Sequence, residues 1–233
     1  MPVVSLNDVR FRWQARLPLT LDITHFEIDD CERVFLYGPS GSGKSTLLNL
    51  LGGVLKPEQG IVACLNHDLV KLGNRACDQF RADHIGMIFQ QFNLVPYLSV
   101  LENVMLPCHF SERRRKHAEA AGSTLTEAQR LLKQLGLVPD LWLRAVTQLS
   151  VGQQQRVAAA RALIGMPELI IADEPTSSLD ADHRGRFLEI LLEQSSAQGS
   201  ALLFVSHDLG LMSHFTRSLS MVELNRAALK EAA

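Results

Sequence analysis

Gly38-Pro39-Ser40-Gly41-Ser42-Gly43-Lys44-Ser45-Thr46 is the stretch on which the reading of this chain turns. It fits the pattern G-x-x-x-x-G-K-[ST]. Arg33–Tyr37, just before it, is a short apolar run stopped by Gly38-Pro39, as a strand ending in a turn. Residues 45–51, just after it, are helix formers. Strand, glycine loop and helix together are the context the pattern needs to hold phosphate. The glycines let backbone N–H groups turn inward around phosphate oxygens. The following helix presents its positive N-terminal end to the same oxygens. Lys44 is expected to reach the β- and γ-phosphates of ATP, and the Ser45 hydroxyl to ligate Mg²⁺.

Further along, Leu169-Ile170-Ile171-Ala172-Asp173-Glu174 reads as a buried strand with carboxylates at its end. Ligands of open α/β sheets gather at the carboxyl ends of strands. Asp173 is therefore placed to hold Mg²⁺ through water, and Glu174 to position and activate an attacking water. Residues 3–9 and 19–28 read as strands of an N-terminal sheet, residues 84–89 as a further strand, and 201–205 as another buried one. Between about 92 and 164 the composition turns helical. Residues 127–135 read as an amphipathic helix with Leu125, Ala128, Leu131, Leu132 and Leu135 on one side. Strands alternating with helices predict an α/β fold with a mostly parallel sheet.

Leu149-Ser150-Val151-Gly152-Gln153-Gln154-Gln155-Arg156-Val157 precedes the helix-forming run 158–163. Ser150 is a natural N-cap, with Gln153 three residues on. A plain capped helix would look like this, but a serine, a glycine and a helix N-terminus also make a second anion site. At this point the chain resembles the ATP-binding subunits of ABC transporters, whose signature is L-S-G-G-Q followed by Q-Q-R-V or similar. Val151 stands here at the third position.

The resemblance covers nearly the whole chain and implies a set of roles. Gln90, in Ile88-Phe89-Gln90-Gln91, matches the glutamine that contacts Mg²⁺ and water; it is preferred to Gln91 as the residue directly following the strand. Ser177-Ser178-Leu179-Asp180 is similar to the D-loop. His207, in Val205-Ser206-His207-Asp208, matches the switch histidine at the γ-phosphate. Trp13 falls where the family stacks an aromatic on adenine, and could instead be a packing residue. The implied fold is a P-loop NTPase core in one domain, 1–233. It carries an N-terminal antiparallel β subdomain and an inserted helical subdomain at about 92–164. The implied partners are a second ATP-binding subunit, normally a copy of the same chain, and an integral membrane permease. Two ATP would be sandwiched head to tail, with Ser150, Gly152 and Gln153 of one copy meeting the phosphate held by Lys44 of the other.

Residues 90–96 and 101–104 look most like the lipoprotein-release and macrolide-export branch. The chain departs from that pattern at Val151 and in the longer, more basic segment 110–123. It also lacks the usual D-G-x-I strand ending beyond residue 216, which leaves the C-terminal sheet edge open. An ABC ATPase driving a transmembrane signal, of the cell-division type, is the alternative. A DNA-repair ABC ATPase would carry long coiled coils or zinc modules, and neither appears.

Composition bounds these readings. With hydrophobic residues at 46%, charged residues at 21% and a formal net charge of −2, bulk charge gives no support for nucleic-acid binding. Cys31, Cys64, Cys77 and Cys108 form no C-x-x-C pair, and read as reduced thiols. No export signal is read at the start, and no apolar stretch approaches the roughly 18 residues of a membrane span. Together with these absences, the resemblance implies a place at the cytoplasmic face of the inner membrane, held there by a permease that supplies the spans. The run Arg113-Arg114-Arg115-Lys116-His117 reads as a solvated helix face or as a contact for acidic headgroups or an acidic partner.

Overall fold

In the computed structural model, which describes residues 2–120, 122–177 and 181–231, strands and helices alternate along the chain. The first part runs β1 (Pro2–Phe11), β2 (Leu21–Asp29), β3 (Arg33–Tyr37), α1 (Lys44–Leu51), β4 (Gln59–Cys64), β5 (His67–Asp68) and α2 (Asn74–His84). The middle runs β6 (Ile85–Ile88), α3 (Val100–Phe110), α4 (Glu112–Glu119), α5 (Thr124–Gln134), α6 (Val151–Leu163), β7 (Leu169–Asp173) and α7 (Ala181–Ala197). The end runs β8 (Ala201–Val205), β9 (Arg217–Ser220), α8 (Met221–Leu224) and α9 (Arg226–Glu231). Antiparallel and parallel sheets are both present, as the α/β reading requires. The chain divides into two compact units, residues 1–81 with 201–233, and residues 82–200.

In the first unit, β1 pairs antiparallel with β2 on one side and β4 on the other, and β5 follows β4. Val4 and Leu6 of β1 are buried across Ser5, and Val9 and Phe11 across Arg10, the alternation resuming after a register shift against β4 between Asn7 and Arg10. That period of two is what a sheet with one covered face demands. β3 behaves differently. Val34, Phe35 and Leu36 are all fully buried, and β3 is flanked in parallel by β8 and β9. A strand covered on both faces must be apolar throughout. Phe35 stacks on Phe204 at 6.1 Å between ring centroids, and Phe215 lies 5.2 Å from both. The sheet edge left open by the sequence is therefore formed. Arg217–Ser220 pairs along Val34–Tyr37 without the usual ending, and the Arg217 guanidinium pairs with Glu32 at 2.8 Å.

In the second unit, β6 and β7 pair in parallel, Gly86 opposite Ile170. α6 packs on β6 so closely that a Cβ at Gly86 would lie 2.3 Å from the Ala162 carbonyl oxygen. Only glycine fits there. Val157, Ala158, Ala159, Ala160 and Leu163 of α6 are buried.

Three expectations change. β6 begins at Ile85 and ends at Ile88; His84 closes α2 and hydrogen-bonds Glu168, and Phe89 belongs to the next turn. α5 begins at Thr124, capped by Ser123, so Leu125 sits in the first turn and stays 44% exposed. Glu127 is buried instead, neutralised by a two-pronged bond from Arg130 at 2.7 and 2.6 Å.

The third change is the basic run. Arg113, Arg115 and Lys116 are exposed, but Arg114 is 3% exposed. Its guanidinium donates to the carbonyls of Ala162 at 2.6 Å, Ile164 at 2.8 Å and Arg161 at 3.3 Å. These are carbonyls at the end of α6 that no further turn of helix can satisfy. Arg114 is therefore a buried cap. Burial pushes its pKa down to about 10, partly offset by Cys108, Glu168 and Asp83, so it stays charged at neutral pH. Arg114→Ala strands several buried carbonyls and is expected to cost about 3 kcal/mol. In a chain of this size that lowers Tm by roughly 6–12 °C. Arg115→Ala should leave Tm nearly unchanged. Thermal denaturation of both variants checks the contrast.

Candidate nucleotide site

β3 delivers the chain to the loop, and α1 carries it away. Gly43 is the N-cap of α1 at φ 97°, and no side chain caps the helix. A Cβ at Gly43 would lie 2.7 Å from the Leu21 side chain, so glycine is required by space as well as by conformation. The first bond inside the helix runs from Leu47 N to Gly43 O at 2.9 Å. The N–H groups of the first turn thus have no capping side chain, and the turn itself carries no acidic residue. An uncapped helix N-terminus with its partial positive charge suits an anion.

The loop is braced from within. Lys44 Nζ donates to Gly38 O at 2.7 Å and Pro39 O at 2.9 Å, and Ser42 Oγ donates to Pro39 O at 2.8 Å. Two of the three ammonium protons therefore hold Lys44 over the loop. Ser42 and Thr46 are buried; Pro39, Ser40, Gly41 and Ser45 are exposed. His207 follows β8 and lines a cavity of about 320 Å³ with Tyr37, Gly38, Pro39, Leu209 and Ser220. The structure thus joins the histidine to the loop, although they lie far apart in sequence. Trp13 is 57% exposed and edge-on to Phe11 at 5.2 Å; it does not line this cavity.

Within the second unit, Asp173 ends β7 and Glu174 follows it, both half-buried. Glu174 has φ 44°, in the left-handed region, directly before Pro175. A non-glycine residue there is strained, and proline after it disfavours helical conformations further. Gln155 of α6, wholly buried, donates from Nε2 to Pro175 O at 2.6 Å and so braces the strained turn. Gln90 and Gln91 occupy a turn after β6 and are both exposed. Since β6 ends at Ile88, adjacency to the strand does not separate them. Arg161 of α6 donates to Asn93 O at 2.7 Å and to Phe92 O, fixing two left-handed residues just beyond Gln90. Asn103, fully buried, holds Val95 through both its N–H, at 2.8 Å, and its carbonyl, at 3.1 Å.

The sequence reading did not single out Gln155, Arg161 or Asn103. For Gln155 a signal existed: it falls on the helical face of Ala158, Ala159 and Ala162, a polar residue in line with buried alanines.

α6 opens with the expected cap. Ser150 Oγ accepts from Gln153 N at 3.4 Å, and Gln153 Oε1 accepts from Ser150 N at 2.9 Å. In the single chain these two side chains therefore serve one another. Val151 is the first helical residue, with negative φ, and is 49% exposed. No left-handed conformation is needed at that position. Asp180, with Ser178 and Leu179, lies outside the described residues.

The donors proposed for Mg²⁺ are a hydroxyl (Ser45), an amide oxygen (Gln90) and a carboxylate (Asp173), the hard oxygen set that Mg²⁺ takes. Among the described residues no three His, Cys, Asp or Glu side chains cluster as an all-protein cage.

Comparison with known proteins gives a consistent picture. The family model described as "ABC transporter" matches residues 21–177. The lipoprotein-releasing system ATP-binding protein LolD of Legionella pneumophila is 38% identical over 192 residues, 82% of this chain and 82% of its own. The macrolide export ATP-binding/permease protein MacB 2 of Aeromonas hydrophila is 36% identical over 94% of this chain and 33% of its own length. The ATP-binding cassette MJ0796 of Methanocaldococcus jannaschii, solved as a dimer in a post-hydrolysis state bound to ADP and Pi, superposes with TM-score 0.82 at 34% identity. That match covers 97% of this chain and 95% of the other.

Proposed function

The chain belongs to the ABC transporter family of ATP-binding proteins and is an ATPase of that family, and from this we propose that it powers a separate membrane permease for export or for extraction of lipid or lipoprotein. The observation that carries the nucleotide part is the loop itself. An uncapped helix N-terminus, a lysine folded over the glycines and a histidine lining one cavity with Gly38 and Pro39 form a phosphate receptor.

Phosphoryl transfer needs positioning and charge stabilisation more than covalent help. In this reading the 38–46 loop holds the phosphates and Trp13 stacks on the base. Lys44 and His207 balance charge that develops on the γ-phosphate. Glu174 orients water for in-line attack. Ser45, Gln90 and Asp173 would hold Mg²⁺, which would supply positive charge against the charge developing on the phosphates. Ser150, Gly152 and Gln153 close over the nucleotide of a second copy. The capping bonds use Ser150 Oγ and Gln153 Oε1 as acceptors, so the Ser150 hydroxyl proton and Gln153 Nε2 would be the side-chain groups that donate to phosphate. The helical insert, about 92–164, would carry that closure to the permease at the cytoplasmic face of the inner membrane. Kinship with LolD and MacB supports the export reading. Among the described residues no helix is long and apolar enough to cross a membrane, so in this reading the spans come from the partner.

Two outcomes test this. The isolated chain should sediment as a monomer without nucleotide and hydrolyse ATP slowly, because shared nucleotide supplies most of the attraction between copies. A tight nucleotide-free homodimer would count against it. Val151→Gly should change kcat of the complex with its permease by less than about tenfold, or ~1.4 kcal/mol. Its negative φ means glycine relieves no strain there. An inactive native complex that Val151→Gly switches on would mark the signature as degenerate.

A further inference from the structure

We propose that Asn225 is a positioning residue for ATP, setting the direction of the Gly43 N–H from behind the phosphate loop; this rests on the reading of 38–46 as the triphosphate cradle. Asn225 lies between α8 and α9, in the segment where the chain lacks its family's usual ending, and is 1% exposed. Its Nδ2 donates to Ser42 O at 3.0 Å and to Thr20 O at 2.9 Å. Its Oδ1 accepts from Asp22 N at 2.9 Å and from Ala227 N at 3.1 Å. An asparagine amide has two donor hydrogens and two acceptor lone pairs, and all four are used. The orientation of the amide is therefore determined: a flip would set its oxygen against two carbonyls and its NH₂ against two N–H groups.

The consequence follows from peptide geometry. The Ser42–Gly43 peptide is planar and trans, so its C=O and N–H point in opposite directions. Holding Ser42 O against Asn225 turns the Gly43 N–H to the far side of the loop. Gly43 is the N-cap of α1, and a Cβ placed on it would lie 3.3 Å from Asn225 Nδ2, so the amide backs directly onto this peptide. Glycine on the C-terminal side makes the peptide easy to turn over. Turned over, it would offer a carbonyl dipole to the phosphates where an N–H donor is needed. A full set of four hydrogen bonds, 225 reaching back to 20, 22 and 42, removes that alternative. The same bonds tie the C-terminal segment to the start of β2, so the tail acts as the rear brace of the loop.

The test compares Asn225→Ala, Asn225→Asp and Lys44→Ala with the native full chain, titrated with MgATP. Circular dichroism and thermal melting verify folding. Asn225→Ala is expected to raise the ATP Kd by about tenfold, the loss of one well-aimed hydrogen bond to a charged group. Asn225→Asp has the same shape, but its carboxylate faces the Thr20 and Ser42 carbonyls and lacks both donors. Ionised, it is repelled; protonated, it donates one bond again. Its ATP affinity relative to native should therefore recover as pH is lowered, at pH values where thermal melting shows both proteins equally folded, which a merely structural role would not produce. Folded Asn225 variants with Kd within about twofold of native, while Lys44→Ala loses ATP, would overturn the proposal alone. No change in any of the three would instead overturn the loop reading. Failure of both Asn225 variants to fold would assign the residue to global stability and also overturn the proposal.

Discussion

Glu174→Gln is expected to keep ATP binding and to lower turnover by about 10²–10⁴-fold, the usual worth of a positioned general base. The amide has the same size but cannot take a proton from water. The conformation of Glu174 gives this expectation its force. A φ of 44° just before proline is costly for any side chain larger than hydrogen. Such strain persists where surroundings over-determine it, and Gln155 is the visible brace, its amide on Pro175 O. With hydrolysis stopped and binding intact, the closed two-copy state should accumulate. Size-exclusion chromatography in ATP should then give a dimer for Glu174→Gln and mostly monomer for the native chain. Steady-state ATPase near the native rate would remove Glu174 from this role.

What could be read in advance divides along a physical line. The loop, the strand before it and the helix after it obey local rules: glycine conformations, an apolar run, a lysine at a helix start. Residues 33–37 and 201–205 were legible as strands because burial on both faces leaves no room for polar residues. Ser150 and Gln153 were legible because a capping box spans only one turn. Arg114 was not, since a basic run on a helix normally faces water. Only the fold shows that one member meets the carbonyl end of α6, at Ala162 and Ile164. Asn225 was hidden for the same reason, with its partner Asp22 lying 203 residues away in sequence. Gln90 and Gln91 remain undivided, because both sit exposed in one turn. Local chemistry thus marks the groups proposed to touch nucleotide, while the residues that hold those groups answer to contacts distant in sequence.

Lys44→Ala should weaken ATP binding by about 10–100-fold, the range for losing a charged hydrogen-bond donor, roughly 1.5–3 kcal/mol. The lysine is the loop's sole cation, and its side chain makes two bonds that both return to the loop, to Gly38 O and Pro39 O. Those bonds keep it over the glycines, and a phosphate need only exchange them for stronger ionic ones. Removing the side chain leaves Gly38 and Pro39 carbonyls that water can reach, since Pro39 is exposed, so the unliganded fold should lose little. The two effects separate in a melting experiment. Without nucleotide, Lys44→Ala and native chains should melt within a few degrees of each other. At ATP about 100 times the native Kd, linkage raises native stability by about 2.7 kcal/mol, and a variant bound 100-fold more weakly gains only about 0.4 kcal/mol. The ATP-induced rise in Tm should therefore fall to about half for a tenfold weakening, where about 1.4 kcal/mol is gained, and nearly vanish for a 100-fold one. An affinity unchanged within about twofold, with the rise intact, would mean that the phosphates are held elsewhere.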